Sequence, residues 1–355
     1  MKKIVFRCIL GLIGLLIATV LLIIFAFYFS PKPGAMLIRH MFNSEVKISD
    51  HKSFDKAKSN VEVTLNHNYN SKFKDNTYDL YLPKNNMEHV PVLIWVHGGG
   101  YVGGDKSGIK EFATKLCSDA QIAIVSINYE RAPESKYPNQ LIQVSELVKF
   151  LKKESHPKLE LGNIMFGGDS AGAQIALQYA LTQTNEQYGV SLHVPQLLEQ
   201  GTIKATVSYC GPLNLEQIKD TRSSSNFMKF FVRTVAWAEL GTKNWKTSPQ
   251  LKQASLVKHL TDEFPPTYIT DGNTYSFEEQ GIAFSEKLKE LSVPVKSLFY
   301  NKSTKEITHE YQFDYSTSEA KDCYRQTLSF IEHYKKTHRL TAVSFFVLNF
   351  NLLLF

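Results

Sequence analysis

The stretch Asn163-Ile-Met-Phe-Gly-Gly-Asp-Ser-Ala-Gly-Ala-Gln-Ile-Ala-Leu-Gln-Tyr-Ala-Leu181 begins as a buried strand and ends as a helix, with Gly168-Asp-Ser-Ala-Gly172 at the joint. That joint has the form Gly-x-Ser-x-Gly in the strand-to-helix setting the pattern requires. So tight a turn forces its middle residue into an unfavourable backbone conformation, and neighbouring chain passes so close that side chains at 168 and 172 would collide. Ser170 is thereby pushed out above the sheet. The helix that follows sets its N-terminal partial charge and the free N–H of Ala171 beside any oxyanion formed there. The stretch presents Ser170 as a nucleophile.

Working outward, strand-like and helix-like runs alternate. Val61–Leu65 and Thr77–Leu82 alternate apolar and polar residues, as half-exposed antiparallel strands do. Pro91–Val96, Ile122–Ile127, Ile164–Phe166, Ala205–Tyr209, Thr267–Ile269 and Val293–Tyr300 are more solidly apolar and are expected as buried parallel strands. Helical patterns lie between most of them, at 108–119, 137–154, 171–184, 277–291 and 317–336. The expected fold class is α/β: a mostly parallel sheet with helices on both faces and its site in the loops at the strands' carboxyl ends. Residues 215–259 break the rhythm with an aromatic helical segment that suits either a small cap over a pocket or ordinary core helix.

A second glycine run, His97-Gly-Gly-Gly-Tyr-Val-Gly-Gly-Asp105, follows an apolar strand, where it lets backbone N–H groups point into a site unobstructed. Gly99 and Gly100 are expected to join Ala171 as oxyanion donors. A serine hydroxyl also needs a base, usually histidine, oriented by a carboxylate. With strand-to-helix serines of this kind the acid follows a late strand and the histidine the last one. That order selects His309, in Thr308-His-Glu-Tyr-Gln-Phe313. His97 lies in the glycine loop, His259 precedes the acid's strand, and His333 and His338 are on or beyond the final helix. For the acid, Asp271 ends a predicted strand, with Glu278 and Glu279 a turn later. Asp before Gly also suits plain turn capping.

The chain has 355 residues, 43% hydrophobic and 21% charged, a globular composition with room for one large domain. Its net charge of +6 is spread over scattered lysines with acids interleaved, which argues against nucleic-acid binding. Cys8, Cys117, Cys210 and Cys323 form no metal-ligand spacing and read as small packed residues, with at most one disulfide among them. Neither metal nor organic cofactor is expected. Lys2, Lys3 and Arg7 precede an uncharged apolar run from Cys8 to Phe29, long enough to cross a bilayer and lacking a small-x-small cleavage site. Residues 4–29 are therefore expected as an uncleaved transmembrane anchor rather than a cleaved signal. The charge bias over Lys32 and Arg39 places the domain outside the cytoplasm, at the cell membrane. Residues 340–355 are an apolar tail, short for a span, that suits an interfacial or packed segment or a non-native extension.

Taken together, the residues resemble the hormone-sensitive-lipase-like carboxylesterases of the α/β-hydrolase fold. His97–Asp105 is similar to that group's oxyanion motif, Gly168–Gly172 to its nucleophile elbow, and Tyr129-Glu-Arg-Ala-Pro-Glu-Ser-Lys-Tyr-Pro138 to its Tyr-x-Leu-Ala-Pro-Glu-x-x-Phe-Pro segment. The likeness covers residues 60–338. It implies a serine esterase acting on small-molecule, glycan or lipid esters. One departure stands out: the group's Gly-x-x-Asp pattern here reads Gly272-Asn-Thr-Tyr275, so Asp271, Glu278 or Glu279 supplies the carboxylate, or none does. Two rival readings remain open at this level, an amide-cleaving hydrolase and a non-catalytic surface protein that binds a ligand in a retained hydrolase pocket.

Overall fold

The structure, a computed structural model, describes residues 2–42, 47–84, 88–154, 156, 158–220 and 225–335; the apolar tail, His338 and part of the 215–259 segment lie outside the described residues. Eight strands make one sheet: β1 (Val61–Asn68), β2 (Thr77–Pro83), β3 (Val90–Val96), β4 (Ala123–Ile127), β5 (Leu159–Asp169), β6 (Ile203–Tyr209), β7 (Thr267–Thr270) and β8 (Val295–Leu298). Their order is β1-β2-β4-β3-β5-β6-β7-β8. The β1–β2 and β2–β4 pairs are antiparallel and every later pair is parallel.

Three helices precede the sheet, α1 (Lys2–Phe29), α2 (Lys32–Phe42) and α3 (His51–Lys58). Among and after the strands come α4 (Lys110–Ala120), α5 (Asn139–Glu154), α6 (Ala171–Thr184), α7 (Glu186–Ser191), α8 (Leu215–Ile218), α9 (Asn226–Leu240), α10 (Pro249–Gln253), α11 (Glu278–Glu290) and α12 (Ser318–Tyr334). The two-residue period of a strand sorts side chains into two cores. On β3, Val92, Ile94 and Val96 pack with α5, α6 and α11, whereas Leu93 and Trp95 pack with α4 and α12. Helix α6 is buried from Ala171 through Gln183, which accounts for its Ala and Leu; its polar row is buried too, with Gln174 Nε2 donating to Gln178 Oε1 at 2.9 Å.

Three differences from expectation have physical causes. β2 is buried almost throughout rather than half-exposed, because β1 and β4 flank it. β8 is shorter than Val293–Tyr300 and only half-buried, because it is the sheet's last strand. Residues 32–42 and 47–58, outside the 60–338 range read from sequence, pack onto the body of the fold. On α2, Gly34, Ala35 and Ile38 are buried. Arg39 donates through Nε to Val102 O at 2.7 Å and through Nη2 to Ala132 O at 2.9 Å, and pairs with Glu134 at 2.7 Å. Glu111 of α4 accepts the amides of Ser49 and Asp50. Helix α1, by contrast, is exposed along nearly its whole length; it is long and apolar enough to cross a membrane, a description a signal sequence also fits.

Candidate active site

The turn after β5 has the strain its sequence implies. Ser170 sits at φ 50°, ψ −123°, and its N–H donates to Tyr209 O at 2.8 Å. A Cβ on Gly168 would lie 2.4 Å from the Gly172 carbonyl carbon, and one on Gly172 would lie 2.1 Å from Val96 O. Both glycines are thus set by close approach of backbone to backbone, and the second contact seats the elbow against the end of β3, where the glycine loop starts.

In that loop Gly99 has φ +110°, and a Cβ there would lie 2.3 Å from Gly103 O. Among the described residues, the N–H groups of Gly99, Gly100 and Ala171 donate to no backbone acceptor. The neighbouring Gly98 N–H is already taken, by Asp169 Oδ2 at 2.7 Å. Two N–H groups of the loop and the first N–H of α6 are thus free of backbone partners among the described residues. Its support comes from the Tyr129 segment: the Tyr129 ring stacks on His97 at 4.5 Å, and its hydroxyl donates to His97 O. Burial holds the His97 imidazole down to about 4, so it stays neutral and structural.

His309 follows β8 in a loop whose position is fixed by its amide, which donates to Thr274 O at 3.0 Å, and by a bridge between Thr308 and Thr274. Its Nε2 lies 3.0 Å from Ser170 Oγ. On the other side, Nδ1 faces Asp271 Oδ1 at 3.5 Å, longer than a formed hydrogen bond. Asp271 is buried at the end of β7, and its two oxygens accept from Gly272 N and Phe277 N, each at 2.7 Å. Those amides aim the carboxylate at the imidazole. Glu278 is aimed elsewhere, accepting from Tyr300 N at 2.6 Å, and Glu279 is exposed on the first turn of α11. The structure thus brings together Ser170, His309 and Asp271, and does not bring Glu278 to His309.

Burial pulls the His309 pKa down, but the facing Asp271 carboxylate and the charges of Glu310 and Asp169 outweigh it, leaving the imidazole above its ordinary value. Asp169, the variable residue of the elbow motif, was not singled out from the sequence. Its buried carboxyl, pushed up to about 7 by desolvation and by Glu310, accepts from Gly98 N and from Trp95 Nε1, both at 2.7 Å, and so ties the glycine loop to the elbow. An acid in an apolar strand end was the available signal. Cys210 places its thiol with Asp271 and His309, all ligand atoms within 4.8 Å of one another. Burial pushes that thiol well above its ordinary value, and both Asp271 oxygens are already engaged by amides, so the donor set suits packing around the imidazole better than an ion. A Cβ on Gly100 would meet Phe231 of α9 at 3.1 Å, which places α9 against the glycine run.

The family model BD-FAE matches residues 78–288, more than half of the chain. The chain belongs to the BD-FAE family. This BD-FAE chain is 27% identical over 217 residues to a putative alpha/beta hydrolase of Acanthamoeba polyphaga mimivirus, covering 61% of the chain and 60% of the relative. It is 26% identical over 209 residues to an esterase of Fusarium pseudograminearum, covering 58% and 61%. The chain thus spans about three fifths of the length of these curated relatives. Among solved structures, an esterase of Pyrobaculum calidifontis superposes with a TM-score of 0.61 at 18% identity, covering 85% of this chain and 90% of the other. A thermostable carboxylesterase from a metagenomic library gives 0.61 at 15%, covering 87% and 99%. The α/β-hydrolase fold expected from the three motifs is borne out. His309 lies beyond the residues the BD-FAE model matches, so its assignment rests on geometry and chain order.

Proposed function

We propose that the protein is a membrane-anchored serine esterase in which Ser170, His309 and Asp271 form the catalytic triad. The observation that carries this reading is the 3.0 Å approach of His309 Nε2 to the strained Ser170, with the N–H groups of Gly99, Gly100 and Ala171 free of backbone partners among the described residues. Ser170 Oγ attacks the ester carbonyl while Nε2 takes its proton, and the same proton then goes to the leaving alcohol. The N–H groups of Gly99, Gly100 and Ala171 receive the oxyanion, each contributing up to ~3–4 kcal/mol. Water, deprotonated by His309, then frees the acid and restores Ser170. Asp271 holds Nδ1 protonated and stabilises the imidazolium; the 3.5 Å gap closes as charge develops, as such contacts tighten on substrate binding.

Helix α1 is the anchor, residues 215–259 are a cap over the glycine loop, and the catalytic body faces away from the cytoplasm because Lys2, Lys3 and Arg7 sit before the span. The substrate is a small-molecule, glycan or lipid ester. The rival non-catalytic reading drew on the missing Gly-x-x-Asp acid, and the buried Asp271 carboxylate facing His309 weighs against it. Hydrolysis of p-nitrophenyl butyrate and fluorophosphonate labelling test the assignment: Ser170→Ala should abolish both and leave thermal unfolding unchanged. Full labelling of that variant would place the nucleophile elsewhere.

A further inference from the structure

An open cleft of about 650 Å³ lies apart from Ser170, between α9 and the turn that follows it. Its walls carry Lys229, Arg233, Lys243 and Lys246 together with the apolar Met228 and Trp245, and no carboxylate. Among the described residues, none of these four cations is in an ion pair. Lys246 donates to Lys219 O at 3.0 Å, but no carboxylate offsets the four charges around the hollow, and a bound anion relieves their mutual repulsion.

The cleft's place in the chain says which anion. The Lys243 ammonium lies 3.2 Å over the ring of Tyr28 and donates to Tyr28 O at 3.1 Å, so the wall of the cleft touches the last turn of α1. Tyrosine at the end of an apolar span marks the level of lipid headgroups. Between these cations, Ile218, Met228, Val232 and Trp245 supply apolar wall within the cleft itself. A cationic hollow with apolar wall, at the foot of an apolar helix long enough to cross a membrane, matches the two halves of an anionic phospholipid, phosphate and acyl chain.

We propose that this cleft binds the phosphate-bearing headgroup of an anionic membrane lipid. The inference rests on reading α1 as a membrane anchor and is independent of the esterase assignment. Bound lipid would hold α9, and with it the cap beside Gly100, at the membrane surface, so that ester substrates reach Ser170 from the lipid side.

The test uses the full chain in a nonionic detergent, with thermal unfolding followed against short-chain phosphatidylglycerol, short-chain phosphatidylcholine and inorganic phosphate. Phosphatidylglycerol at ten times its Kd should raise Tm by about 2 °C by mass action, and the other two should raise it far less. In the triple variant Lys229→Gln, Arg233→Gln, Lys246→Gln the shift should vanish, with hydrolysis of p-nitrophenyl butyrate unchanged; Lys243 is left intact because it braces Tyr28. Equal shifts with both lipids would overturn the proposal, since charge would not be read. An equal shift with phosphate alone would replace the lipid by a free anion, and a shift retained in the triple variant would place binding elsewhere. Alkaline extraction of native membranes reports on the anchor separately: release of the full chain would remove the premise, whatever the binding data.

Discussion

Replacing Asp271 by Asn keeps the side chain's shape and removes its charge. Once Ser170 gives up its proton, an imidazolium faces that carboxylate across 3.5 Å. At an effective dielectric of about 20, opposite unit charges at that separation attract by about 5 kcal/mol, equivalent to about 10³–10⁴ in rate. Solvent at the partly exposed His309 edge trims this, so Asp271→Asn is expected to lower kcat by about 10²–10⁴ with KM little changed, in line with the protease precedent. The change also sets an amide NH2 against one of the two backbone donors, Gly272 N or Phe277 N, so a loss of about 1–3 kcal/mol in stability accompanies it. Kinetics with p-nitrophenyl butyrate must therefore be run well below the variant's Tm. Glu278→Gln is the control: its carboxylate serves Tyr300 N, and kcat should stay within a few-fold of wild type. A large loss in Glu278→Gln alone would refute this reasoning, and mild effects in both variants would mean that Ser170 and His309 work without either carboxylate.

Two further outcomes follow from the same geometry. His309 must be neutral to accept the serine proton, and its carboxylate neighbours raise its pKa, so activity is lost as pH falls through a value above the ordinary 6.5. In Asp271→Asn the acid limb of the kcat/KM profile should move to lower pH, and an unmoved limb would assign it to another group. Gly172→Ala drives a methyl to 2.1 Å from Val96 O and 2.4 Å from His97 O, both backbone and unable to swing away. A destabilisation on the order of 3–5 kcal/mol in urea is expected, and a wild-type midpoint would contradict the close approach.

The central strands were legible because a strand buried on both faces has to be apolar throughout, and the order of elements then led to Ser170 and His309. What escaped the sequence depends on where side chains point. Asp271, Glu278 and Glu279 are alike in composition and differ in which amides capture them: Gly272 N and Phe277 N turn Asp271 toward His309, while Tyr300 N turns Glu278 away. Asp169 looked like a spacer in the elbow motif until Trp95 and Gly98, distant in sequence, were seen to donate to it. Helix α2 carries Lys32, Arg39 and His40 among its apolar residues and gave no sign that Arg39 would reach carbonyls more than sixty residues away.

On the proposed reading of α1 as an anchor and Ser170 as the nucleophile, the reach of Arg39 would tie release from a membrane to enzymatic competence. Its guanidinium joins the stem leaving α1 to Val102, three residues past Gly99, and to Ala132 in the segment that backs the loop. A protease cutting between α1 and α2 would shed a diffusible body with this brace intact. A cut only a dozen residues later, past Phe42, would free nearly the same mass without it, and the loop bearing Gly99 and Gly100 would lose a charged clamp whose hydrogen bonds contribute about 1.5–3 kcal/mol each. The position of the nick, more than the fact of release, then decides whether the liberated protein still turns over ester.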